Sequence, residues 1–219
     1  IRSCLVGSEM CIRDRMRPMQ LRRSWLFVGA ADKNAILTSY DSGADVCIQE
    51  FEDFCVPELR REARLMMPDV LSDWRARKIV ATVRINPLED PDGLRDLDAA
   101  MRAGADAILL PKANTKEQIA LLQKHINEME KQCGKTVSST KIIPNIEQAR
   151  GLMNATDILS SSTQIAGALV ASEDMVVSLN APRKKNSEIL NYVRSVFHIA
   201  CCSVGITCLL YTSDAADES

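Results

Sequence analysis

Two apolar segments of the sequence each end in carboxylates, at positions where a strand is predicted to stop. Residues 141–146 contain three isoleucines, whose branched side chains suit a covered strand, and Glu147 follows them. Residues 164–171 form a second apolar run, and Asp174 comes shortly after it, 27 positions beyond Glu147. Two strands that end in this way direct both acids toward one point, and the functional prediction rests on this pair.

Charged and polar side chains also follow the other predicted strands of the chain. They are Glu50, Glu52, Asp53, Arg84, Asn86 and Lys112. In a parallel barrel the carboxyl ends of the strands form the face that carries function, so all of these side chains are expected at one mouth.

The predicted chemistry combines a hard divalent cation with an anionic substrate. Mg²⁺ takes oxygen ligands and is usually held by one or two carboxylates, so Glu147 and Asp174 are the candidate ligands. A bound Mg²⁺ acts as a Lewis acid on an oxygen of a chelating oxyacid. Arg84 is the candidate to clamp a substrate carboxylate or to stabilise an enolate.

Each of these residues also has a simpler interpretation, which the sequence leaves open. Glu147 and Asp174 are also typical of helix N-termini, where an acid caps the first turn. Glu52 and Asp53 are candidate catalytic acids, but the same pair could cap the helix that follows. Lys112 is a candidate substrate-binding residue and could equally be a solvated surface charge.

Strand and helix patterns alternate along the chain, which predicts a parallel α/β fold. The predicted strands are residues 24–30, 46–50, 78–86, 107–112, 141–147 and 164–171. The predicted helices are residues 32–42, 58–71, 94–103, 115–132, 148–154 and 189–203. The phrase Gly-Ala-Asp occurs twice between a helix and a strand, at residues 43–45 and 104–106, as expected for a repeated helix–cap–strand unit.

Such a sheet is either open and doubly wound or closed as a TIM (β/α)₈ barrel. A Gly-x-Gly-x-x-Gly motif does not follow the first strand, which weakens the dinucleotide-binding alternative. The sequence therefore predicts a TIM barrel that is incomplete, with about six of eight strands and a seventh beginning at residues 205–207.

Both ends of the chain resemble translated sequencing adapters and are excluded from the fold prediction. The expected organisation is a non-native tail at 1–15, a partial TIM-barrel lyase domain at 16–207, and a second non-native tail at 208–219. The chain has a formal net charge of −2, and the tails carry +1 and −3, so the body is neutral. A neutral body argues against binding to nucleic acid or membrane through bulk charge.

The cysteines of residues 16–207 show no Cys-x-x-Cys spacing. They therefore favour a reducing compartment, either the cytoplasm or the mitochondrial matrix. They are Cys47, Cys55, Cys133, Cys201 and Cys202, and most lie in apolar runs where a buried thiol is expected.

Six segments occur in an order that resembles the citrate lyase β-subunit-like family, within the HpcH/HpaI aldolase and citrate lyase superfamily. They are residues 23–28, 43–53, 83–86, 109–112, 143–149 and 172–174. The resemblance implies a TIM barrel and a Mg²⁺-dependent carbon–carbon lyase. Such enzymes act on acyl-CoA or acyl-carrier thioesters of citryl, malyl or citramalyl type. A retro-aldol (Claisen-type) cleavage gives an acetyl thioester and a 2-oxo acid.

Carried onto matching positions, the resemblance implies that Glu147 and Asp174 hold Mg²⁺ and that Arg84 stabilises the thioester enolate. It also implies that Arg23 contacts the substrate or the CoA phosphates. A homo-oligomer, trimer or hexamer, is implied as well. At Glu50 the family usually has an aspartate, and at Ala171 it usually has a glycine.

The departures from the family pattern keep two alternatives open. One is a thioesterase of the same family, in which water attacks the thioester. The other is a non-catalytic subunit of a multi-subunit lyase. Because a longer acid at Glu50 displaces its carboxylate by about one bond length, a divergent specificity is expected. The loss of barrel strands also predicts that this fragment is inactive by itself.

Overall fold

The computed structural model describes residues 21–182 and 188–210, with the side chain of Leu210 excepted. The predicted tail at residues 1–15 lies outside the described residues, as does most of the tail at 208–219. Within the described part, no helix is both long enough and apolar enough to cross a membrane.

Seven parallel strands form one curled sheet, and each strand pairs with its neighbours in chain order. The strands are β1 (Trp25–Gly29), β2 (Val46–Glu50), β3 (Val80–Arg84), β4 (Ala107–Leu110), β5 (Lys141–Ile146), β6 (Ala168–Val170) and β7 (Cys208–Leu210). Every step between neighbouring strands is parallel, and helices form the crossovers. This curled half-barrel confirms the prediction of an incomplete TIM barrel.

The helices follow the predicted order and lie against one face of the sheet. They are α1 (Lys33–Ser39), α2 (Arg60–Ala76), α3 (Pro91–Ala103), α4 (Lys116–Gln132), α5 (Ala149–Met153), α6 (Ala155–Ser160), α7 (Ser172–Ser178) and α8 (Glu188–Val204). Trp74, Met67 and Phe197 belong to the large buried cluster between these helices and the strands.

Alternate residues of each strand face the inside of the curled sheet. The inner cluster is Val46, Ile48, Val80, Ala107, Leu109, Ile143 and Leu169, with Trp25, Phe27, Ala166 and Leu209 packed against it. Because side chains alternate across a strand, the inward series Val46 and Ile48 continues to Glu50, and Val80 continues to Arg84. The register places Glu50 directly opposite Arg84. The interior is therefore apolar until its carboxyl end, where it becomes charged.

The repeated Gly-Ala-Asp sequence stabilises the turns at the amino ends of the strands. Gly43 and Gly104 both have positive φ, at 70° and 84°, which glycine adopts without steric cost. The aspartate that follows each glycine accepts a backbone N–H from the start of the preceding strand. Asp45 Oδ2 accepts from Arg23 N at 2.8 Å, and Asp106 Oδ2 accepts from Ala81 N at 2.9 Å.

Several predicted boundaries were wrong. The seventh strand is Cys208–Leu210 rather than residues 205–207, because Gly205 has a φ of 71° and ends α8. It therefore lies inside the segment that was assigned to the C-terminal tail. Helix α7 was not predicted, and the helix predicted at residues 148–154 continues as two short helices to Ser160.

The thiols are less uniformly buried than predicted. Cys47, Cys55 and Cys201 are buried, whereas Cys133 and Cys202 are exposed. Cys133 is the C-cap residue of α4 and Cys202 lies on the outer face of α8, so neither reaches the core.

Candidate active site

Arg84 occupies the centre of the charged layer at the carboxyl end of the strands. Its side chain is almost buried, with 7% exposed. Nε lies 3.6 Å from Glu50 Oε1, and Nη2 lies 2.9 Å from Asp53 Oδ2 and 3.5 Å from Glu147 Oε2. Glu52 also pairs with Nη2. Burial alone would lower the pKa of Arg84, but the four surrounding carboxylates raise it, so the guanidinium stays charged.

Lys112 joins the acids of two different strand ends. Its Nζ pairs with Glu52 Oε1 at 2.5 Å, and its backbone N–H donates to Glu147 Oε1 at 2.8 Å. The backbone of Lys112 has a positive φ of 48°, which is uncommon for a residue with a side chain. Lys112 is therefore fixed in the site by its main chain as well as by its ammonium group.

Glu147 is the most deeply enclosed acid on this face after Glu50, with 1% of the residue exposed. Asn145 Nδ2 donates to Glu147 Oε2. Burial raises the pKa of Glu147 to about 8; Arg84 opposes this shift, while the charges of Glu52 and Asp174 reinforce it. Desolvation thus disfavours the charged form of Glu147, and the neighbouring acids add to this effect.

A cavity of about 280 Å³ opens beside these residues. Its charged and polar lining residues are Asp53, Arg84, Asn145, Glu173 and Asp174, and its apolar wall is Phe27, Phe54, Leu169 and Ala171. Asp174 lies in the first turn of α7 and is exposed toward solvent. Its charge reaches Glu147 strongly enough to affect the pKa of that acid. The cavity therefore brings Asp174 and Arg84 to one space, and Glu147 lies behind this lining, in contact with Arg84 and Asn145.

The residues around the cavity suit a Mg²⁺ ion. Asn145 Oδ1 is buried and has no hydrogen-bond partner among the described residues, so it is an oxygen still able to accept. No group of three or more Asp, Glu, His or Cys side chains among the described residues could hold a metal. Two carboxylates completed by water and substrate are, however, the usual protein contribution to Mg²⁺.

The structure brings together Glu52, Asp53, Arg84, Lys112 and Glu147, with Asp174 across the cavity, but it does not bring Arg23 to them. Arg23 is exposed just before β1, and its backbone is bound by Asp45 at the amino end of the strands. The carboxyl ends of parallel strands all lie at the opposite edge, so a contact from Arg23 to this cavity is not supported.

Two residues of this face were not assigned roles from the sequence. Glu50 was expected at this face but was given no task there. Asn145 was not expected at all, although its position two residues before Glu147 places both side chains on the same face of the strand. Asn86, which follows β3, has a structural role instead. Its Nδ2 donates to Phe51 O at 3.1 Å and to Asp96 Oδ2 at 2.8 Å.

A larger cleft, of about 590 Å³, lies at the other end of the sheet. Its basic lining residues are Arg22, Arg75, Lys135 and Lys141. Arg75 donates to Ala103 O and Gly104 O at 2.8 and 2.5 Å, and Lys135 Nζ donates to Ala105 O at 3.4 Å. These cations neutralise the carbonyl end of α3, where the helix dipole is negative. Size alone therefore does not identify the functional cavity.

Comparison with known proteins is consistent with this geometry. Residues 23–218 match the family described as HpcH/HpaI aldolase/citrate lyase. Citrate lyase subunit beta of Escherichia coli (strain K12) is 32% identical over 206 residues, covering 94% of this chain and 68% of that protein. The same subunit of Haemophilus influenzae is 31% identical over 188 residues, covering 86% and 65%. The chain thus spans about two thirds of the length of these relatives.

More distant similarities extend over most of the chain. The mitochondrial citramalyl-CoA lyase of Rattus norvegicus is 23% identical, covering 90% of this chain and 61% of that protein. The crystal structure of protein CitE from Mycobacterium tuberculosis with magnesium, acetoacetate and coenzyme A is 25% identical, with a TM-score of 0.70. That alignment covers 90% of this chain and 69% of that one. RipC from Yersinia pestis is also 25% identical, with a TM-score of 0.72, covering 91% and 80%.

Proposed function

The chain belongs to the HpcH/HpaI aldolase/citrate lyase family, and from that premise we propose that it acts as a Mg²⁺-dependent carbon–carbon lyase. The proposed substrate is a short hydroxyacyl thioester of citryl, malyl or citramalyl type, carried by CoA or by an acyl-carrier protein. Cleavage yields an acetyl thioester and a 2-oxo acid. The observation that carries this proposal is the buried Arg84, set among carboxylates beside a cavity that Asp174 also lines.

Glu147 and Asp174 are proposed to hold the metal, with the unpartnered Asn145 Oδ1 nearby as a further oxygen. Bound Mg²⁺ would supply Lewis-acid polarisation of the oxo-acid oxygens. The solved CitE of Mycobacterium tuberculosis carries magnesium together with acetoacetate and coenzyme A, which supports both the ion and a thioester ligand.

Arg84 is proposed to stabilise the negative charge that develops on the thioester oxygen. In the cleavage, the substrate hydroxyl loses its proton and its oxygen forms the new carbonyl as the carbon–carbon bond breaks. The electron pair of that bond passes to the acetyl thioester as an enolate, which is then protonated at carbon. A fixed, buried guanidinium suits this step because it need not reorganise as charge appears.

Asp53 is the acid best placed to accept the hydroxyl proton. It lines the cavity, and 48% of its side chain is exposed, so it can exchange protons with substrate and solvent. Glu52 is fixed between Arg84 and Lys112 and is only 6% exposed, which suits a positioning role. Lys112 holds Glu52 and Glu147 in place, and we propose that its ammonium group also contributes to substrate binding.

The test is product analysis with the protein extended to the full length of its relatives, MgCl₂ and each of citryl-, malyl- and citramalyl-CoA. We expect acetyl-CoA and the matching 2-oxo acid from at least one, and loss of turnover on Glu147→Gln or Asp174→Asn. Asp157→Asn is the matched control, because Asp157 is also an exposed acid in the first turn of a helix. Undiminished turnover after chelation of the metal would refute the proposal.

The same experiment separates the rival functions. Hydrolysis by a thioesterase releases free CoA and leaves the hydroxy acid whole, with no 2-oxo acid. A non-catalytic subunit gives no product and binds neither Mg²⁺ nor acyl-CoA in calorimetry.

A further inference from the structure

Glu50 is a completely buried acid that no step of the proposed reaction uses. It is the last residue of β2, and it continues the inward series of Val46 and Ile48. Burying an ionisable side chain costs free energy unless its charge and hydrogen bonds are compensated. The partners of Glu50 therefore indicate what it does.

The carboxylate of Glu50 closes the turn that follows its own strand. Oε1 accepts the backbone N–H of Glu52 at 2.7 Å, and Oε2 accepts the backbone N–H of Phe54 at 2.5 Å. The residues between these two amides include Asp53. One side chain thus fixes the backbone of the segment, residues 51–54, that presents Glu52 and Asp53. We call this segment the acidic turn.

The acidic turn and Glu50 hold the same edge of Arg84. Glu50 lies 3.6 Å from Nε, while Glu52 and Asp53 both pair with Nη2. Among the residues that the structure describes, the hydrogen bonds of Arg84 run from Nη2 and none runs from Nη1. Arg84 is therefore held at Nη2 by hydrogen bonds and at Nε by the charge of Glu50 alone, since Nε makes no hydrogen bond among the described residues. Nη1 is the donor available to an anion in the cavity that Arg84 lines.

We propose that Glu50 is a positioning residue that sets the orientation of Arg84, directly at Nε and indirectly through the acidic turn. The proposal rests on the proposed function only in assigning Arg84 Nη1 to the substrate anion. Without the Glu50 carboxylate, two backbone N–H groups lose their acceptor and the acidic turn loses its fixed conformation. A displacement of about 1 Å in a positioning element is enough to weaken a site by about 100-fold.

A purely structural role is the alternative, and the chain offers a matched control for it. Glu130 is also fully buried, and its carboxylate accepts from Ser138 N and Thr140 N, both at 2.6 Å. It therefore fixes a turn in the same way, but at the amino end of the strands, far from Arg84 in the fold. Glu50→Gln and Glu130→Gln each replace a buried, turn-closing carboxylate with an amide of the same size.

The first measurement is made by NMR on the 219-residue chain without ligand. In Glu50→Gln we expect the amide protons of Glu52 and Phe54 to exchange about 10-fold faster or more. We also expect the Nε–H signal of Arg84, assigned by its loss in Arg84→Lys, to shift. Glu130→Gln should leave all three signals unchanged. An unshifted Arg84 signal in Glu50→Gln overturns the proposal, whatever happens to binding.

The second measurement is the affinity for acetoacetate in the presence of MgCl₂, by calorimetry. We expect Glu50→Gln to weaken binding about 10- to 100-fold while Glu130→Gln binds as the parent does. Glu50→Asp keeps an inward carboxylate and should restore part of the affinity. Equal affinity in Glu50→Gln and the parent contradicts the proposal. If the parent itself does not bind acetoacetate, the proposed function is in doubt while the NMR result still decides the role of Glu50.

Discussion

Two buried glutamates, Glu50 and Glu130, perform the same local task at opposite ends of the sheet and are perturbed in opposite directions. At Glu130 burial raises the pKa, but hydrogen bonds from Thr140, Ser139 and Ser138 outweigh it and the pKa is lowered overall. At Glu50 burial outweighs Arg84 and the two backbone N–H groups, with Asp53 adding repulsion, and the pKa is raised.

The pKa values differ because desolvation outweighs the favourable contacts at Glu50, whereas the hydrogen bonds outweigh desolvation at Glu130. The two ends of the sheet also differ in the balance of their charges. At the amino end, Arg75 and Glu130 have fixed partners within the chain, which are the carbonyls at the end of α3 and the backbone N–H groups of Ser138 and Thr140. At the carboxyl end, Glu50, Glu52, Asp53, Glu147 and Asp174 outnumber Arg84 and Lys112. Charged groups that already have partners within the chain stabilise the fold. The carboxyl end of the sheet carries more carboxylates than cations, so it can still bind a metal ion.

The strongest test of this contrast is Arg84→Lys. Lysine keeps the positive charge but cannot present a planar fork to several carboxylates and a substrate anion at once. We expect turnover to fall about 10²- to 10³-fold, as for loss of a donor to a developing oxyanion. Steady-state kinetics on the CoA thioester measure it, with Arg102→Lys as control because Arg102 is exposed and pairs with Asp98 on its own helix. If Arg84→Lys and Arg102→Lys lost turnover equally, the effect would not be specific to the carboxyl end of the sheet.

A second test acts at the amino end, through Glu130→Gln. The amide cannot accept two backbone N–H groups with both of its terminal atoms, so one buried N–H loses its partner. We expect the free energy of unfolding to fall by about 1–3 kcal/mol. Urea denaturation measures this change, while turnover of the variant should match the parent. If Glu130→Gln lost turnover while its stability was unchanged, the amino end of the sheet would have a functional role rather than a structural one.

The pH dependence of the same variant sharpens the comparison. Because the folded-state pKa of Glu130 is lowered, its ionised form stabilises the fold above its unfolded pKa, about 4.3. That contribution is lost as pH falls through the folded value. The stability difference between parent and Glu130→Gln should therefore be constant from pH 6 to 7 and shrink below about pH 4. If the stability difference between parent and Glu130→Gln grew on acidification, the pKa of Glu130 would be raised rather than lowered by folding.

The smallest expected effect concerns the glycines of the repeated phrase. Alanine at Gly104 must adopt a positive φ, and its Cβ would lie 2.5 Å from Arg75 Nη1. Alanine at Gly43 has the same backbone strain but meets nothing within 4 Å. We expect each substitution to cost about 1–2 kcal/mol, with Gly104→Ala the more costly. Thermal unfolding of both variants measures the difference, and equal costs would mean that Arg75 moves aside freely.

Much of the fold could be predicted because local signals agreed with tertiary packing. Helix α4 begins where it was predicted, and Thr115 and Gln118 form a capping box there, while Gly104 ends α3. Helix α5 was predicted, but helices α6 and α7 were missed, since short helices depend on tertiary contacts more than on their own sequence. For the same reason the start of β7 was misplaced, as a short strand is defined by the neighbour with which it pairs.

The candidate site was predictable at strand ends but not in its details. Glu52, Asp53, Arg84, Lys112 and Glu147 converge as the barrel argument required. The side-chain contacts of Glu50 were not predictable, because a buried acid that accepts from its own turn has no sequence motif. Arg23 was assigned from family resemblance alone, and nothing in its own surroundings places it at the cavity.

The opposed pair Glu50 and Arg84 has a consequence for how this protein can vary. Their inward orientation depends on the number of residues in β2 and β3. One inserted or deleted residue turns every later side chain of the strand to the other face. Deletion of one residue between Val46 and Glu50 would send Glu50 toward the helices and bring a neighbour inward. The loops after each strand can change length without this effect. Length variation among natural variants should therefore be concentrated outside the strands, with β2 and β3 constant in residue number.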